Sequence, residues 1–154
     1  MQRQTVSDLK PGDHVIALFD SEEDHDLFIM TFISEGLKKN EKVIYLRYHT
    51  PEEKIKNLLS FSRVHAPSFL KTGQLEILPA KNIYLQHGTF DIERTFRFIE
   101  DCIQSNLEKG YSSVRITGEM SWILENRPGT ENLLQYEKNV SKCFSNHNSL
   151  AVCQ

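Results

Sequence analysis

The feature that most constrains the fold is a strand–helix–strand pattern over residues 14–48. Residues 14–19 and 43–48 are short apolar segments typical of buried strands. Between them lies an amphipathic helix that begins at Ser21, a good N-cap, and ends near Asn40. Because strands joined by helical crossovers run parallel, the pattern predicts an α/β fold: a three-layer α/β/α sandwich with a mostly parallel central sheet.

The same alternation continues to the end of the chain. Further strands are predicted at residues 75–78, 113–117 and 150–153. Thr50 is the predicted cap of a second helix that runs to about Arg63, and Asp91 caps a third that stops at Gly110. A fourth helix is predicted over residues 130–147, and residues 79–89 are predicted to form a loop. We therefore expect a single domain over residues 1–154.

The turn after the first strand lacks the means to bind phosphate. Residues 14–48 resemble the first βαβ unit of RecA-like ATPases, in which a glycine-rich loop follows the strand. Here residues 19–24 read FDSEED, with no glycine, no lysine and four carboxylates. A phosphate cradle needs free backbone N–H groups, close backbone approach and positive charge. The fold is therefore predicted to be RecA-like with a degenerate P-loop, and nucleotide hydrolysis is not expected.

Composition excludes several other classes of protein. The formal net charge of −3 offers no basic surface for nucleic acid. No apolar run is long enough to span a membrane, and the N-terminus does not read as a signal peptide. Three scattered cysteines fit a reducing compartment. We expect a cytoplasmic protein that contacts neither nucleic acid nor membrane directly, with no cofactor and no metal site.

The densest candidate site follows the fourth strand, at residues 118–122, GEMSW. Ligands of parallel sheets bind beyond the carboxyl ends of the strands. Glu119 is therefore predicted to anchor a ligand, and Trp122 to form an apolar wall. The alternative is structural: Glu119 pairs with Arg115 or a backbone amide, and Trp122 belongs to the core.

Three more residues are assigned to the same edge. Tyr84, predicted to be exposed with His87 in the loop 79–89, is interpreted as a second apolar wall. Arg47 and His49 follow the second strand and are predicted to lie at the rim of the pocket.

Two residues that often carry chemistry are given structural roles. His14 enters the first strand at the opposite edge from Glu119, so the two are not expected to share a metal. Cys153 lies within a predicted core strand, where thiols are usually inert. Nothing in the spacing of the sequence supports a Cys–His pair.

The chain also resembles the MEDS family, the methanogen/methylotroph sensory domain, from about residue 8 to the end. The stretch RITGEMSW at residues 115–122 is its most specific part. The weaker segments are residues 12–14, 35–37, 41–45, 50–53, 136–137 and 153–154. The resemblance implies a sensory input domain for simple hydrocarbon derivatives, often fused to a histidine kinase or a DNA-binding output domain. The family pattern continues beyond Gln154, so the chain is expected to be truncated at its C-terminus relative to a longer protein.

These observations predict a non-enzymatic sensory domain that binds a small organic ligand, with homodimerisation as a further possibility. Two alternatives stay open: an interaction or dimerisation module without a ligand, and a residual nucleotide-binding domain. A metal sensor is ranked behind both, because the sequence contains no compact His/Cys cluster.

Overall fold

The computed structural model describes residues 5–154, whose strands form one sheet. The strands are β1 (His14–Ile16), β2 (Lys42–Arg47), β3 (Leu75–Pro79), β4 (Val114–Gly118) and β5 (Ser149–Cys153). All are parallel and lie in the order β1-β5-β4-β2-β3. The helices are α1 (Glu22–Lys38), α2 (Glu52–Phe61), α3 (Ala66–Thr72), α4 (Ala80–Tyr84), α5 (Ile92–Glu108) and α6 (Leu133–Ser145).

Helices cover both faces of the sheet. Successive strand residues point to opposite faces, and β2 shows the result. Val43 and Tyr45 belong to the core formed with α1, α2 and α3, whereas Ile44 and Leu46 belong to the core formed with α4, α5 and α6. The predicted three-layer α/β sandwich with a parallel sheet is confirmed.

Local sequence sets the start of the two long helices. The Ser21 side chain accepts a hydrogen bond from the Asp24 amide at 3.1 Å, and Asp91 accepts one from the Arg94 amide at 3.0 Å. The prediction that Thr50 caps α2 is wrong. Pro51 takes the N-cap position without a side-chain hydrogen bond.

A buried ion pair joins β4 to the turn between α1 and β2. The Arg115 side chain is fully buried, and its Nε lies 2.6 Å from a carboxylate oxygen of Glu41. It also donates to the Phe32 carbonyl at 3.2 Å. Gly36 makes room for this group, since an added Cβ would lie 2.7 Å from Val43 and 3.0 Å from Arg115. Arg115 is therefore not the partner of Glu119, which bonds instead to backbone amides, the other partner named in the structural alternative.

Several element boundaries differ from the sequence prediction. Strand β1 stops at Ile16, three residues early, and α2 stops at Phe61. The predicted fourth helix, α6, begins at Leu133 after a single 3₁₀ turn (Thr130–Asn132). Helix α3 was not predicted, and α4 replaces the first half of the predicted loop.

Candidate functional site

A cavity of about 500 Å³ lies at the carboxyl edge of the sheet. It is open to solvent and is bordered by the first turn of α1, the loop after β2 and the residues that follow β4 and β5. Its polar lining includes Glu22, His25, His49, Thr50, Lys54, Glu119 and Gln154. The cavity therefore lies where ligands of parallel α/β sheets bind.

Glu119 uses both carboxylate oxygens within the protein. Oε2 accepts hydrogen bonds from the backbone amides of Tyr48, His49 and Thr50 at 2.7, 2.5 and 3.1 Å. Oε1 accepts a hydrogen bond from the Tyr45 hydroxyl at 3.0 Å. Three successive amides of this kind form an anion-binding concavity in many proteins. Here the anion is a side chain of the chain itself, and it ties the loop after β2 to the end of β4.

These hydrogen bonds keep Glu119 ionised. Burial alone would raise the pKa of its carboxyl group. Hydrogen bonds from the Thr50 side chain and from the amides of Thr50, Tyr48 and His49 outweigh that effect and lower the pKa. Donors to the charged form always act in this direction. The site is therefore built around a fixed carboxylate whose lone pairs are largely occupied.

Gln154 connects the cavity to the sheet. Its Oε1 lies 2.6 Å from Nε2 of His25, and its Nε2 donates to Oγ1 of Thr117 at 2.9 Å. Its backbone amide donates to the Gly118 carbonyl, and its own carbonyl accepts from the Met120 amide. Because the Gln154 oxygen accepts here, Nε2 of His25 must carry the proton in this contact. A movement of the His25 side chain would therefore disturb Gln154, whose hydrogen bonds join the ends of β4 and β5.

Trp122 and Tyr84 do not line this cavity. Trp122 has no exposed surface, and its ring stacks on Tyr84 with 5.0 Å between centroids. Both belong to the core on the α5–α6 side of the sheet, whereas the cavity lies on the α1–α2 side. The prediction that Tyr84 is exposed is wrong, because α4 turns it inward to 3% exposure. The structure therefore separates these two aromatic residues from Glu119.

The two rim residues differ in position. His49 is exposed and lines the cavity beside Glu119. Arg47 is half-buried at the end of β2 and is not among the residues lining the cavity. His25, Lys54 and Gln154 were not predicted to lie here. The start of α1 at the carboxyl edge is the sequence signal that could have identified His25.

The cavity offers little to an anion. The first turn of α1 carries Glu22, Glu23 and Asp24. Lys54, the lysine that lines the cavity, is held by Glu22 at 2.6 Å and by Asp26 at 2.7 Å. Positive charge near the helix N-terminus is thereby neutralised, and a phosphate group would meet carboxylates. The geometry fits a neutral or cationic ligand better than a nucleotide.

A second cavity, of about 520 Å³, lies beside β1 and is lined mainly by hydrophobic residues. Three large hydrophobic side chains around it are exposed: Ile16 at 74%, Leu18 at 91% and Leu27 at 58%. Strand β1 is also an edge strand. Within residues 5–154, no helix has both the length and the apolar character needed to cross a membrane.

Comparison with known proteins gives a family and a fold. The model of the MEDS family, "MEthanogen/methylotroph, DcmR Sensory domain", matches residues 13–154. Among curated proteins, none matches the sequence significantly. The structure is similar to a KaiC-like protein, PH0186, from the hyperthermophilic archaeon Pyrococcus horikoshii OT3, with a TM-score of 0.64 and 11% identity. That alignment covers 94% of this chain, which spans about three fifths (61%) of the archaeal protein.

Proposed function

Because the chain belongs to the MEDS family of sensory domains, we propose that it is a non-enzymatic input domain that binds a small organic molecule in the carboxyl-edge cavity. The family match supports a sensory role, and the RecA-like fold places the cavity where such folds take their ligands. The ligand class, the absence of catalysis and the output partner are parts of the proposal.

The observation that carries this proposal is the occupation of the anion-binding amides by Glu119. Backbone N–H groups can bind the phosphate of a ligand only if they have no other acceptor. In this chain the amides of Tyr48, His49 and Thr50 are already bonded to a carboxylate. The remaining polar groups, among them His25, His49 and Gln154, suit an uncharged or weakly cationic molecule.

The contacts of Gln154 suggest how binding is transmitted. A ligand that competes for His25 or Gln154 would change the hydrogen bonds that join the ends of β4 and β5. It would thereby shift an equilibrium between arrangements of these segments. In a longer protein, a histidine kinase or DNA-binding output domain is the partner that we expect to read this shift.

Thermal unfolding of the full chain with defined probes tests the proposal. The probes are methanol, methylamine, dimethyl sulfide, dichloromethane and Mg-ATP. A ligand that binds only the folded state adds about 2.7 kcal/mol at 100 times its dissociation constant. We expect stabilisation by at least one organic probe and none by Mg-ATP. Stabilisation by Mg-ATP alone would instead favour the residual nucleotide-binding function.

A histidine pair locates the site. His25→Ala removes a cavity side chain and should weaken binding of the active probe by about fivefold, the value of one hydrogen bond. His87→Ala is the matched control, because His87 is exposed in the turn Gln86–Gly88, away from the cavity. Equal affinity in the two variants would contradict the placement of the ligand at the carboxyl edge.

Protein–protein interaction is a second candidate function, favoured by the exposed side chains of Ile16, Leu18 and Leu27. Exposed apolar patches often mark interfaces. A second copy of the chain is the occupant to test first, by sedimentation velocity over a range of concentrations. Dimerisation that Leu18→Glu abolishes would support this function, and a monomer at all concentrations would contradict it.

A further inference from the structure

Three side chains with metal-binding atoms meet on the face of the sheet away from the carboxyl-edge cavity. They are His14 on β1, Glu137 on α6 and Cys153 at the end of β5. In the β1–β5 register, His14 pairs with Ala151, so Cys153 is its diagonal neighbour on the same face. Helix α6 covers that face and brings Glu137 to the pair. No spacing in the sequence indicated a Cys–His pair at Cys153, yet Nε2 of His14 lies 3.4 Å from its sulfur.

The distances in this cluster match the edges of a tetrahedral metal site. Zinc bonds of about 2.0 Å to nitrogen or oxygen and about 2.3 Å to sulfur put tetrahedral N···S and N···O separations at about 3.5 and about 3.3 Å. Nε2 of His14 lies 3.4 Å from the Cys153 sulfur and 3.4 Å from Oε2 of Glu137. The three ligand atoms all lie within 4.8 Å of one another.

The second ring nitrogen of His14, Nδ1, makes a hydrogen bond, as the nitrogen that faces away from the metal usually does in metal-binding histidines. Nδ1 lies 2.7 Å from the hydroxyl oxygen of Ser141. Ser141 is four residues after Glu137 on α6, so both project from the same side of the helix. With Nδ1–H donated to Ser141, the lone pair of Nε2 points away toward Glu137 and Cys153. Such outer hydrogen bonds fix the tautomer and orientation of histidine ligands.

The cluster contains two acidic groups and, among residues 5–154, no lysine or arginine partner. The His14 side chain is 7% exposed and that of Glu137 28% exposed. A carboxylate and a thiolate are the forms in which Glu137 and Cys153 would bind a metal. Among the residues that the structure describes, no lysine or arginine forms an ion pair with Glu137. A divalent cation would supply the charge that stabilises both anions.

A small cavity adjoins two of the three ligands, His14 and Cys153. Its volume is about 10 Å³, and its lining includes His14, Cys153, Tyr84 and Tyr136. That is roughly the room that one water molecule needs. Three protein ligands with one open position are typical of zinc sites that bind water or an exchangeable ligand.

We propose that His14, Glu137 and Cys153 form a three-ligand site for a divalent transition metal of the zinc class, with its fourth coordination position facing this small cavity. The inference stands apart from the carboxyl-edge ligand, because none of the three residues lines that cavity. It provides the sensory domain with a second, inorganic input.

Metal binding by the chelator-treated full chain tests the proposal directly. Zn²⁺ is titrated in competition with a chromophoric chelator, and Co²⁺ is added to a parallel sample for absorption spectroscopy. We expect one metal per chain and a thiolate-to-cobalt charge-transfer band in the near ultraviolet. Binding of less than one metal per chain, or a cobalt spectrum without that band, would overturn the proposal.

The chain contains a matched control for the thiol. Cys143 lies 3.9 Å from Nδ1 of His147, so it is a second Cys–His pair but is outside the three-ligand cluster. Cys153→Ser should abolish the charge-transfer band, and Cys143→Ser should leave it intact. Loss of the band in Cys143→Ser but not in Cys153→Ser would place the metal at the Cys143–His147 pair and contradict the proposal.

Two milder variants keep the test valid if Cys153→Ser fails to fold. Ser141→Ala removes only the hydrogen bond to Nδ1 and should weaken Zn²⁺ affinity about 10- to 100-fold. Zn²⁺ should also protect Cys153 of the unmodified chain from alkylation, as mapped by mass spectrometry, while labelling of Cys143 stays unchanged. Unaltered affinity in Ser141→Ala together with unprotected Cys153 would overturn the proposal without any folding argument.

Discussion

Glu119 and Glu137 are two partly or wholly buried carboxylates placed in opposite surroundings. Glu119 receives three backbone amides and a tyrosine hydroxyl, and its pKa is lowered. Glu137 has a neighbouring imidazole but, among residues 5–154, no such donors, and burial raises its pKa. The comparison teaches that burial alone does not identify a binding carboxylate. The satisfied one acts as a structural link, and the unsatisfied one is available to a cation.

The largest expected effect comes from removing the charge of Glu119. Glu119→Gln keeps the shape of the side chain but replaces charge-assisted hydrogen bonds with neutral ones and places an NH₂ group near backbone donors. We expect the free energy of unfolding at pH 7 to fall by about 2–3 kcal/mol. Urea denaturation measures it. A loss below about 1 kcal/mol would mean that the three amides do not depend on the carboxylate.

A smaller effect is expected from the hydroxyl that bonds to Oε1 of Glu119. Tyr45→Phe removes a buried hydrogen bond of 3.0 Å and should lower the free energy of unfolding by about 1 kcal/mol. Tyr48→Phe is the matched control, because the Tyr48 hydroxyl bonds to the exposed side chain of Glu125. Its loss should lower the free energy of unfolding by less than about 0.5 kcal/mol. Equal losses in the two variants, measured by urea denaturation, would remove the distinction between the buried and exposed tyrosines.

The smallest effect is expected at Glu137, and its sign depends on metal. Because its pKa is raised, the folded chain binds this proton more tightly than the unfolded chain, and stability falls as pH rises above the ordinary value of 4.5. Metal-free Glu137→Gln should therefore match or exceed the unmodified chain at pH 7, by less than about 1 kcal/mol. Thermal unfolding with excess Zn²⁺ should reverse the order.

That reversal separates a ligand from a structural residue. If Glu137→Gln is clearly less stable without metal, Glu137 contributes to the fold in the same way as Glu119. If Zn²⁺ stabilises both chains equally, the carboxylate is not a ligand. Either result would break the comparison between the two glutamates.

The contribution of Glu119 to stability depends on pH in the opposite direction to that of Glu137. Its folded pKa is lowered, so its contribution is fully present above the ordinary value of 4.5 and is lost as pH falls through the folded value. Acid denaturation of Glu119→Gln should show a smaller loss of stability below pH 4.5 than that of the unmodified chain. An equal loss of stability in the variant and the unmodified chain would show that other carboxylates cause the destabilisation at low pH.

Local sequence predicted much of the fold. The helix caps Ser21 and Asp91, the alternation of strands with helices, and the absence of a phosphate loop all depend on residues close together in the chain. Strand β1 was predicted too long because apolar Leu18 and Phe19 continue its pattern, yet β1 ends at Ile16, and Leu18 is left 91% exposed.

The site was less predictable because it depends on tertiary contacts. The position of Glu119 follows from its place after β4, but the three amides that it binds come from a loop about seventy residues away. Tyr84 was placed wrongly because the short α4 turns it into the core. The contact of His14 with Cys153 requires β1 to lie beside β5, and no local pattern specifies that strand order.

The most direct test of this account is a carboxyl ¹³C NMR titration of the full chain that follows Glu119 and Glu137 in one sample. We predict that Glu119 titrates below the ordinary value of 4.5 and Glu137 above it. Added Zn²⁺ should move the Glu137 titration to lower pH and leave Glu119 unchanged. Two ordinary titrations, or a Zn²⁺ response at Glu119 and none at Glu137, would contradict the division into a structural and a metal-binding carboxylate.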